Sequence, residues 1–234
     1  MFHFKQFSID QTGCAMKINT DGVLLGALAE SENPMSILDI GTGTGVIALM
    51  LAQRFLQATV EAVEIDKSAA ERAALNFSDS PFADRLKVCN MSFQDFFLNY
   101  PDKQFDMIVS NPPFFINSLK NPDSRKNLAR HTMPEFFASL VSLCYKHLSR
   151  NGICWFILPV HVADLVNKYA KETGLEMTTT IRIKSFENSE PHRYLIAYKK
   201  NSDALSSSDF IIYQSEKVYS EEYKAALSPF FTIF

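Results

Sequence analysis

The chain has 234 residues, of which 47% are hydrophobic and 21% are charged. This balance is typical of a globular protein with one α/β domain, and it argues against disorder and fibrous repeats. The formal net charge of −3 excludes a chain that binds nucleic acid through overall basicity. The longest apolar run, residues 153–160, is far shorter than the roughly 20 residues that span a bilayer.

Cysteine usage and the amino terminus predict a cytoplasmic protein. The four cysteines, Cys14, Cys89, Cys144 and Cys154, form no CxxC pair, and we expect reduced thiols in apolar surroundings. No basic segment followed by an apolar stretch is visible after Met1, so we expect no secretory signal.

Short apolar runs alternate with helical patterns in the middle of the chain, which predicts a parallel sheet with crossover helices. The predicted strands are residues 35–40, 59–65, 86–91, 105–110 and 152–158, and the predicted helices are residues 46–55, 68–76, 134–149 and 163–173. Two last runs, residues 177–184 and 194–199, have no helix between them and predict an antiparallel hairpin at one edge. The expected fold class is therefore α/β, with a Rossmann-like, doubly wound, seven-stranded mixed sheet.

Capping boxes predict where two of these helices begin. Ser68 and Glu71 have the spacing at which each side chain bonds the other residue's backbone amide, and Thr132 and Glu135 repeat it. Pro134 would then lie in the first turn of its helix.

Two segments lie outside the predicted sheet. Residues 1–33 precede the first strand, and we expect them to form a lid or substrate-contacting segment beside a main domain of residues 34–200. Residues 201–234 begin with a serine-rich connector at 201–208 and end in Phe230-Phe231-Thr232-Ile233-Phe234. So many terminal aromatic residues predict a tail that docks on the domain.

A glycine-rich turn, Asp39-Ile40-Gly41-Thr42-Gly43-Thr44-Gly45, joins the first predicted strand to its helix. Glycines let the backbone turn tightly and approach a ligand, and the helix start presents free amides. The spacing is GxGxG rather than GxGxxG, so a pyrophosphate fits poorly and a nicotinamide dehydrogenase is disfavoured. A zwitterionic amino acid fits better, because its carboxylate faces the amides and its ammonium can reach Asp39.

The second predicted strand ends in Glu64-Ile65-Asp66, about 20 residues beyond the glycine turn, where an acid accepts hydrogen bonds from both ribose hydroxyls. The two motifs together indicate an adenosine ligand that carries an amino acid. S-adenosylmethionine meets this description.

The tetrapeptide Asn111-Pro112-Pro113-Phe114 follows the fourth predicted strand. The prolines stiffen the turn and keep Asn111 extended. The Asn111 side-chain oxygen and the Pro112 carbonyl can accept both hydrogens of a planar amino group, while Phe114 stacks on the ring that bears it. The pattern predicts methyl transfer to a planar nitrogen by positioning, without a nucleophilic side chain.

These motifs resemble the class I S-adenosylmethionine-dependent methyltransferases that act on an exocyclic or amide nitrogen. Further segments are similar to the bacterial tRNA1(Val) (adenine(37)-N6)-methyltransferase family, and the resemblance covers essentially the whole chain: Phe4–Phe7, Cys14–Lys17, Thr20–Gly26, Ala129–Thr132 and Tyr219–Phe231. The resemblance implies methyl transfer to N6 of adenine 37 in the anticodon loop of valine tRNA.

The resemblance also implies roles for individual residues. The cofactor would contact the N-terminal segment, the glycine turn and the acid after it, through Lys17, Thr20, Asp21, Asp39, Gly41, Thr42, Gly43, Gly45 and Glu64. The substrate adenine would be held by Asn111, Pro112, Pro113 and Phe114, with Asn111 also near the cofactor.

One position departs from the family pattern. After the third strand the family usually has an Asp that binds the cofactor's adenine amine, and here the position is Ser92, followed by Phe93. A neutral hydroxyl predicts somewhat weaker cofactor binding. Asp95, three residues later, could substitute only if the loop were rebuilt.

Two basic segments are the predicted contacts with RNA phosphates. Their residues are Lys120, Arg125, Lys126, Arg130 and His131 in the first, and Arg182, Lys184 and Arg193 in the second. Solvated surface charge is the alternative explanation for both, and a hydrogen bond at a helix start is equally open for His131. No histidine has the spacing of a metal ligand, so we expect no metal site.

An Asn-Pro-Pro-aromatic turn does not by itself identify the methyl acceptor. A release-factor glutamine N5-methyltransferase and an rRNA guanine N2-methyltransferase also act on planar amino groups. The short N-terminal segment favours the tRNA enzyme over the glutamine enzymes, which tend to carry a larger helical N-terminal domain. An inactive RNA-binding module is the third alternative, and the intact residues 111–114 argue against it.

Overall fold

The computed structural model describes residues 1–14, 17–113, 122–202 and 204–234, and for residues 122–132 it describes the helical backbone alone. Its strands are β1 (Phe2–His3), β2 (Ser8–Ile9), β3 (Ser36–Ile40), β4 (Thr59–Glu64), β5 (Leu86–Asn90), β6 (Phe105–Ser110), β7 (Leu148–Pro159), β8 (Glu176–Lys184), β9 (Pro191–Lys199), β10 (Ser206–Ile211), β11 (Tyr213–Ser215) and β12 (Val218–Tyr219). Its helices are α1 (Thr20–Leu28), α2 (Val46–Arg54), α3 (Lys67–Ser78), α4 (Phe93–Asn99), α5 (Pro122–His147), α6 (Val160–Thr173) and α7 (Glu221–Leu227), with a 3-10 turn at Ala83–Arg85.

A mixed sheet of eight strands forms the centre, in the order β10-β8-β9-β7-β6-β3-β4-β5. Every neighbouring pair is parallel except those that include β9. The chain runs outward from β3 to β5 and then returns to β6 beside β3. The carboxyl ends of β3 and β6 therefore flank the crevice at which doubly wound sheets bind ligands.

Successive residues of the central strands point to opposite faces, so each strand contributes to two cores. In β7, Ile153, Trp155 and Ile157 pack with helices α1, α2 and α7, whereas Cys154 and Phe156 pack with α4, α5 and α6. This arrangement explains why the strands are continuously apolar rather than alternating.

The predicted doubly wound α/β fold and its antiparallel hairpin, β8 with β9, are confirmed. The sheet has one strand more than the seven predicted, because β10 pairs in parallel with β8. Serine-rich runs are typical of loops, so the sequence predicts residues 206–208 as connector. Their place in the sheet is secured by pairing along β8 and by Phe210, which is buried.

Both capping-box predictions were wrong. Asp66 is the N-cap of α3, since its carboxylate accepts from the Ala69 amide at 2.8 Å, and the helix therefore begins at Lys67, before Ser68. Helix α5 begins at Pro122 and contains Pro134 in its interior. A proline suits the first helical position, and the helix continues through Pro134 although that residue has no amide to donate.

The two chain ends lie against each other. The Lys5 amide donates to the Phe230 carbonyl at 2.7 Å, and the Lys5 ammonium donates to the carbonyls of Ser228 and Phe234. Phe4 stacks on Phe7 with ring centroids 4.4 Å apart. The division of the chain at residues 33 and 200 stays a prediction.

Candidate active site

The glycine turn between β3 and α2 has three glycines in the left-handed region. The φ angles are +75° at Gly41, +57° at Gly43 and +90° at Gly45, values that other residues adopt only with strain. A Cβ on Gly45 would lie 2.5 Å from the Phe77 ring, whereas a Cβ on Gly41 or Gly43 would meet nothing within 4 Å. Gly45 therefore serves the packing of α3, and the other two glycines leave space for a ligand.

A cavity of about 470 Å³ opens in front of this turn, at the carboxyl ends of β3, β4 and β6. Its volume lies within the range of small-molecule sites, about 300–1,000 Å³. The predicted residues that line it are Gly41, Gly43, Glu64, Ser92, Phe93, Asn111 and Pro113. The crevice thus brings together both motifs singled out in the sequence.

Asp39 is buried beneath the turn rather than on the cavity wall. The Thr42 hydroxyl donates to Asp39 Oδ2 at 2.6 Å, and Oδ1 has no hydrogen-bond partner among the described residues. Burial raises the pKa of Asp39 to about 7, the Thr42 bond opposes the rise, and the Glu64 carboxylate adds to it. A buried acceptor without a hydrogen-bond partner destabilises the folded protein unless a cation or a donor binds it.

Glu64 is fixed at the end of β4 by two backbone amides. Its Oε2 accepts from Gly43 and its Oε1 accepts from Asp66, both at 2.8 Å. Each carboxylate oxygen can accept a further bond, so this side chain can still receive ribose hydroxyls from the cavity.

Ser92, the departure from the family pattern, begins helix α4. Its hydroxyl accepts from the Asp95 amide at 3.0 Å and donates to Asp95 Oδ2 at 2.6 Å. Asp95 is therefore engaged at the helix start and does not line the cavity. Phe93 lies beside Ser92 and meets the Phe136 ring edge-on, with centroids 5.5 Å apart.

The Asn-Pro-Pro turn begins at the last residue of β6. The Ser110 hydroxyl donates to the Ile40 carbonyl at 2.8 Å, which ties the ends of β6 and β3 together across the crevice. Asn111 and Pro113 line the cavity, and Pro112 is buried behind them. Phe114 lies outside the described residues.

Several residues that line the cavity were not predicted as site residues, among them Cys14, Gln94 and Phe136. Cys14 belongs to the N-terminal string that carried the family resemblance, and that string was the available signal for it. Phe136 lies on α5, far along the chain from the motifs, and only the fold brings it to the site.

Comparison with known proteins identifies the family of this chain. A family profile described as "Methyltransferase small domain" matches residues 17–162. A protein of Pedobacter heparinus named "tRNA1(Val) (adenine(37)-N6)-methyltransferase" is 49% identical over 100% of this chain and 98% of its own length. Proteins of the same name from Bacteroides thetaiotaomicron and Porphyromonas gingivalis are 42% and 41% identical, over 95% and 99% of this chain and 93% and 95% of their own.

The chain belongs to the tRNA1(Val) (adenine(37)-N6)-methyltransferase family. Solved structures agree on the fold. A structure described as a "predicted O-methyltransferase" from Agrobacterium tumefaciens has a TM-score of 0.69 at 17% identity, covering 90% of this chain and 96% of its own. TYW2 from Pyrococcus horikoshii, solved with MeSAdo, has a TM-score of 0.53 at 15% identity, covering 80% of this chain and 66% of its own.

The predicted cofactor residues of the N-terminal segment lie near one another but do not line the cavity. Lys17 and Thr20 are exposed, and α1 begins at Thr20. Asp21 Oδ2 accepts from Arg193 Nε at 2.8 Å, which joins α1 to the start of β9. Roles for these residues in the family's cofactor binding stay predictions.

The second basic segment is paired within the chain. Arg182 and Lys184 share the carboxylate of Asp209 on β10, with Lys184 Nζ 2.8 Å from Oδ2. Hydrogen bonds from Lys184 and Arg182 lower the pKa of Asp209. Together with the Asp21–Arg193 pair, these contacts offset much of the positive charge of the segment that was predicted to contact RNA phosphates.

The first basic segment comprises Lys120 and four residues of α5. Lys120 lies outside the described residues, and Arg125, Lys126, Arg130 and His131 lie on α5, where only the backbone is described. Their contact with RNA stays a prediction.

Two further observations concern the described ranges as a whole. No group of three or more histidine, cysteine or acidic residues within them has the geometry to hold a metal ion. Nor does any helix found there combine the length and apolar character needed to cross a membrane.

Proposed function

We propose that this protein transfers a methyl group from S-adenosylmethionine to N6 of adenine 37 in the anticodon loop of tRNA1(Val). One observation carries the proposal: Asn111 and Pro113 share a cavity wall with Gly41, Gly43 and Glu64. A nitrogen bound at Asn111 would thus lie beside a ligand bound on the glycine turn. The near full-length similarity to relatives that bear this name supports the choice of substrate.

The residues at the cavity fit S-adenosylmethionine. The open space in front of Gly41 and Gly43 accommodates the methionine end, and the buried Asp39 lies beneath the turn, with an Oδ1 that has no hydrogen-bond partner among the described residues. The Glu64 carboxylate would receive the ribose hydroxyls. Ser92 and Phe93 stand where the adenine ring would lie, and Ser92 can offer that ring one hydrogen bond.

The bound cofactor would supply a methyl group on a sulfonium, whose neutral thioether is a good leaving group, and the acceptor nitrogen would give up one proton to solvent. The chain's own contribution is then to position the acceptor. Asn111 Oδ1 and the Pro112 carbonyl would accept the two amine hydrogens, which orients the nitrogen lone pair. Phe93 and Phe136 contribute apolar surface to the cavity wall.

Transfer-RNA recognition requires the target base to leave its loop and enter the cavity. An anticodon-loop base is already weakly stacked, so extruding it costs only a few kcal/mol. We propose Lys120, Arg125, Lys126, Arg130 and His131 as the main phosphate contacts, since Arg182, Lys184 and Arg193 are engaged with Asp209 and Asp21. Such a substrate would place the enzyme in the cytoplasm.

Methyl transfer from labelled S-adenosylmethionine into total tRNA from cells that lack the gene tests the proposal, with nucleoside analysis as the readout. We expect N6-methyladenosine with the natural chain and none with Asn111→Ala, and purified tRNA1(Val) identifies the acceptor. A release-factor peptide run in parallel would receive the label if the chain were a glutamine methyltransferase. Cofactor binding without any product would instead indicate an inactive RNA-binding module.

A further inference from the structure

Asn76, near the end of α3, is a buried amide with three hydrogen bonds that no feature of the sequence predicted. Its Oδ1 accepts from the Asp10 amide at 2.9 Å, and its Nδ2 donates to the Asp10 carbonyl at 3.0 Å. The same Nδ2 donates to the Thr44 carbonyl at 2.9 Å. Asn76 is only 4% exposed, so these bonds are made away from water, where losing one leaves a buried polar group unsatisfied.

The two backbone segments that Asn76 joins lead to two different parts of the cavity. Thr44 stands between Gly43 and Gly45 in the glycine turn. Asp10 begins the segment of residues 10–14, here called the N-terminal arm, whose last residue, Cys14, lines the cavity. One side-chain amide therefore fixes the glycine turn relative to the arm that carries Cys14.

A second tether reaches the arm from one helical turn earlier. Arg72 forms an ion pair with Asp10 Oδ2, and Asp10 Oδ1 accepts from the Thr12 amide and hydroxyl at 2.9 Å and 2.6 Å. These bonds lower the pKa of the Asp10 carboxyl, with the Thr12 bonds contributing most. The Asp10 carboxylate thus fixes the conformation of the arm, while Arg72 and Asn76 attach its first residue, Asp10, to α3.

The glycine turn is held from the same helix. Phe77, the residue after Asn76, packs against Gly45 so closely that a Cβ there would lie 2.5 Å from its ring. Adjacent residues of α3 thus set the position of the turn, one by packing and the other by a hydrogen bond, while the asparagine also holds the arm.

We propose that Asn76 is a positioning residue for cofactor binding, which holds the N-terminal arm and the glycine turn at the separation that the cofactor requires. The inference rests on the proposed function, because it takes the cavity to be the S-adenosylmethionine site. Asn76 itself does not line the cavity and acts through Asp10 and Thr44.

The test is Asn76→Asp, which keeps the shape of the side chain but turns its donor into an acceptor facing the carbonyls of Asp10 and Thr44. We expect the Kd for S-adenosylmethionine to rise about tenfold, or about 1.4 kcal/mol. We expect kcat at saturating cofactor to change less than about twofold, because Asn111 and Pro112 are untouched. An unselective loss of folded protein would lower kcat instead.

Cys14 gives a second readout that needs neither cofactor nor RNA. Without cofactor, a loosened arm should expose its thiol, so Asn76→Asp should be alkylated at Cys14 several times faster, as measured by peptide mass spectrometry. Cys89 on β5 is also partly exposed and does not line the cavity, so its alkylation rate is the reference within the same molecule.

Two further variants separate positioning from general destabilisation. Asn167→Asp makes the same substitution at a part-buried asparagine on α6 that accepts from the Tyr198 hydroxyl, and it should alter neither the Kd nor Cys14 alkylation. Arg72→Met removes the ion pair with Asp10 at a partly exposed side chain, and it should raise the Kd for S-adenosylmethionine two- to threefold. If Asn76→Asp does not fold, the Kd and the Cys14 alkylation rate of Arg72→Met test whether attachment of the arm to α3 supports cofactor binding.

An unchanged Kd and an unchanged Cys14 rate in folded Asn76→Asp would overturn the positioning role, as would equal effects in Asn167→Asp. A natural chain that binds no S-adenosylmethionine would overturn the proposed function instead. The Cys14 rates would still show whether Asn76 holds the arm.

Discussion

The carboxyl edge of the sheet has two halves that both carry polar or charged residues. The halves differ in whether those residues face an open cavity or pair with other residues of the chain. At the ends of β3, β4 and β6, polar groups face an open cavity, and Glu64 and Asn111 keep bonding capacity for a ligand. At the ends of β8 and β10 and the start of β9, the cations are matched by carboxylates of the same chain. Charge in the sequence therefore indicates a binding surface only where the fold supplies no internal partner.

In the half formed by β8, β9 and β10, the carboxylates that offset the cations come from residues distant in sequence. Asp21, on α1, pairs with Arg193, and Asp209, on β10, pairs with Arg182 and Lys184. A partly exposed pair contributes little to stability, but it removes its cations from the field that a polyanion would meet. The comparison can be tested at both halves.

The largest effect should come from Asn111→Ala in the ligand-facing half. Removing the acceptor leaves the target amine unoriented, so kcat should fall by at least about 100-fold, as for other lost positioning contacts. The Kd for S-adenosylmethionine should change less than about threefold. Single-turnover methyl transfer and calorimetry would measure the two, and a kcat within tenfold of the natural chain would refute the role.

The next largest effect should come from removing positive charge from the first basic segment. The triple variant Lys120/Arg125/Lys126→Ala should raise the KM for tRNA about tenfold and flatten its salt dependence, because fewer counterions are released on binding. Cofactor affinity should stay constant. Steady-state kinetics at several salt concentrations check this, and unaltered tRNA kinetics would move the RNA contacts elsewhere.

Glu64→Gln should weaken cofactor binding about tenfold. The amide oxygen can still accept from Gly43, but the charge-assisted bonds to the ribose hydroxyls are lost. Equilibrium binding of S-adenosylmethionine and of adenosine measures the change. If both ligands keep their affinity, the ribose does not lie at Glu64.

Asp39→Asn should raise the thermal stability of the protein and lower its affinity for S-adenosylmethionine. Because burial raises the pKa of Asp39 from 3.8 to about 7, the folded natural chain holds a proton that the unfolded chain releases, and its stability falls as pH rises between these values. The Asn variant does not titrate there, so its Tm advantage should grow from pH 4 to pH 7 and then level off, while cofactor affinity falls.

Thermal unfolding of both chains across this pH range measures the difference, in which the other titrating groups cancel. A Tm difference that does not vary with pH would show that Asp39 is ionised normally in the folded protein.

The smallest effect should come from the half formed by β8, β9 and β10. Replacing Arg182 and Lys184 together by Gln should change the KM for tRNA less than about twofold, because both cations already serve Asp209. Asp209→Asn frees them and should lower the KM slightly. Binding titrations at low salt compare the two variants, and a tenfold loss in the double variant would return this segment to the RNA interface.

Local patterns sufficed for much of the fold and the site. The strand Phe105–Ser110 has the predicted bounds, and α2 ends one residue earlier than predicted, because a buried strand or helix needs an apolar run that is visible in the sequence. Gly41, Gly43, Glu64 and Asn111 line one cavity because strand ends in a parallel sheet meet at one edge, and their roles in binding stay predictions. Helix starts were less readable, since Asp66 and Pro122 preceded the predicted caps.

The sequence by itself determined the strands β3 to β9 and most of the helices between them, the glycine turn, the acid at the end of β4 and the family. These depend on short-range patterns that the backbone must follow. Only the tertiary structure decided that residues 206–211 complete the sheet, that Asp209 and Asp21 take the cations of β8 and β9, and that Asn76 joins the arm to the glycine turn. Such contacts join residues far apart in sequence, where no periodicity links the partners, and they form only when the packed cores bring the segments together.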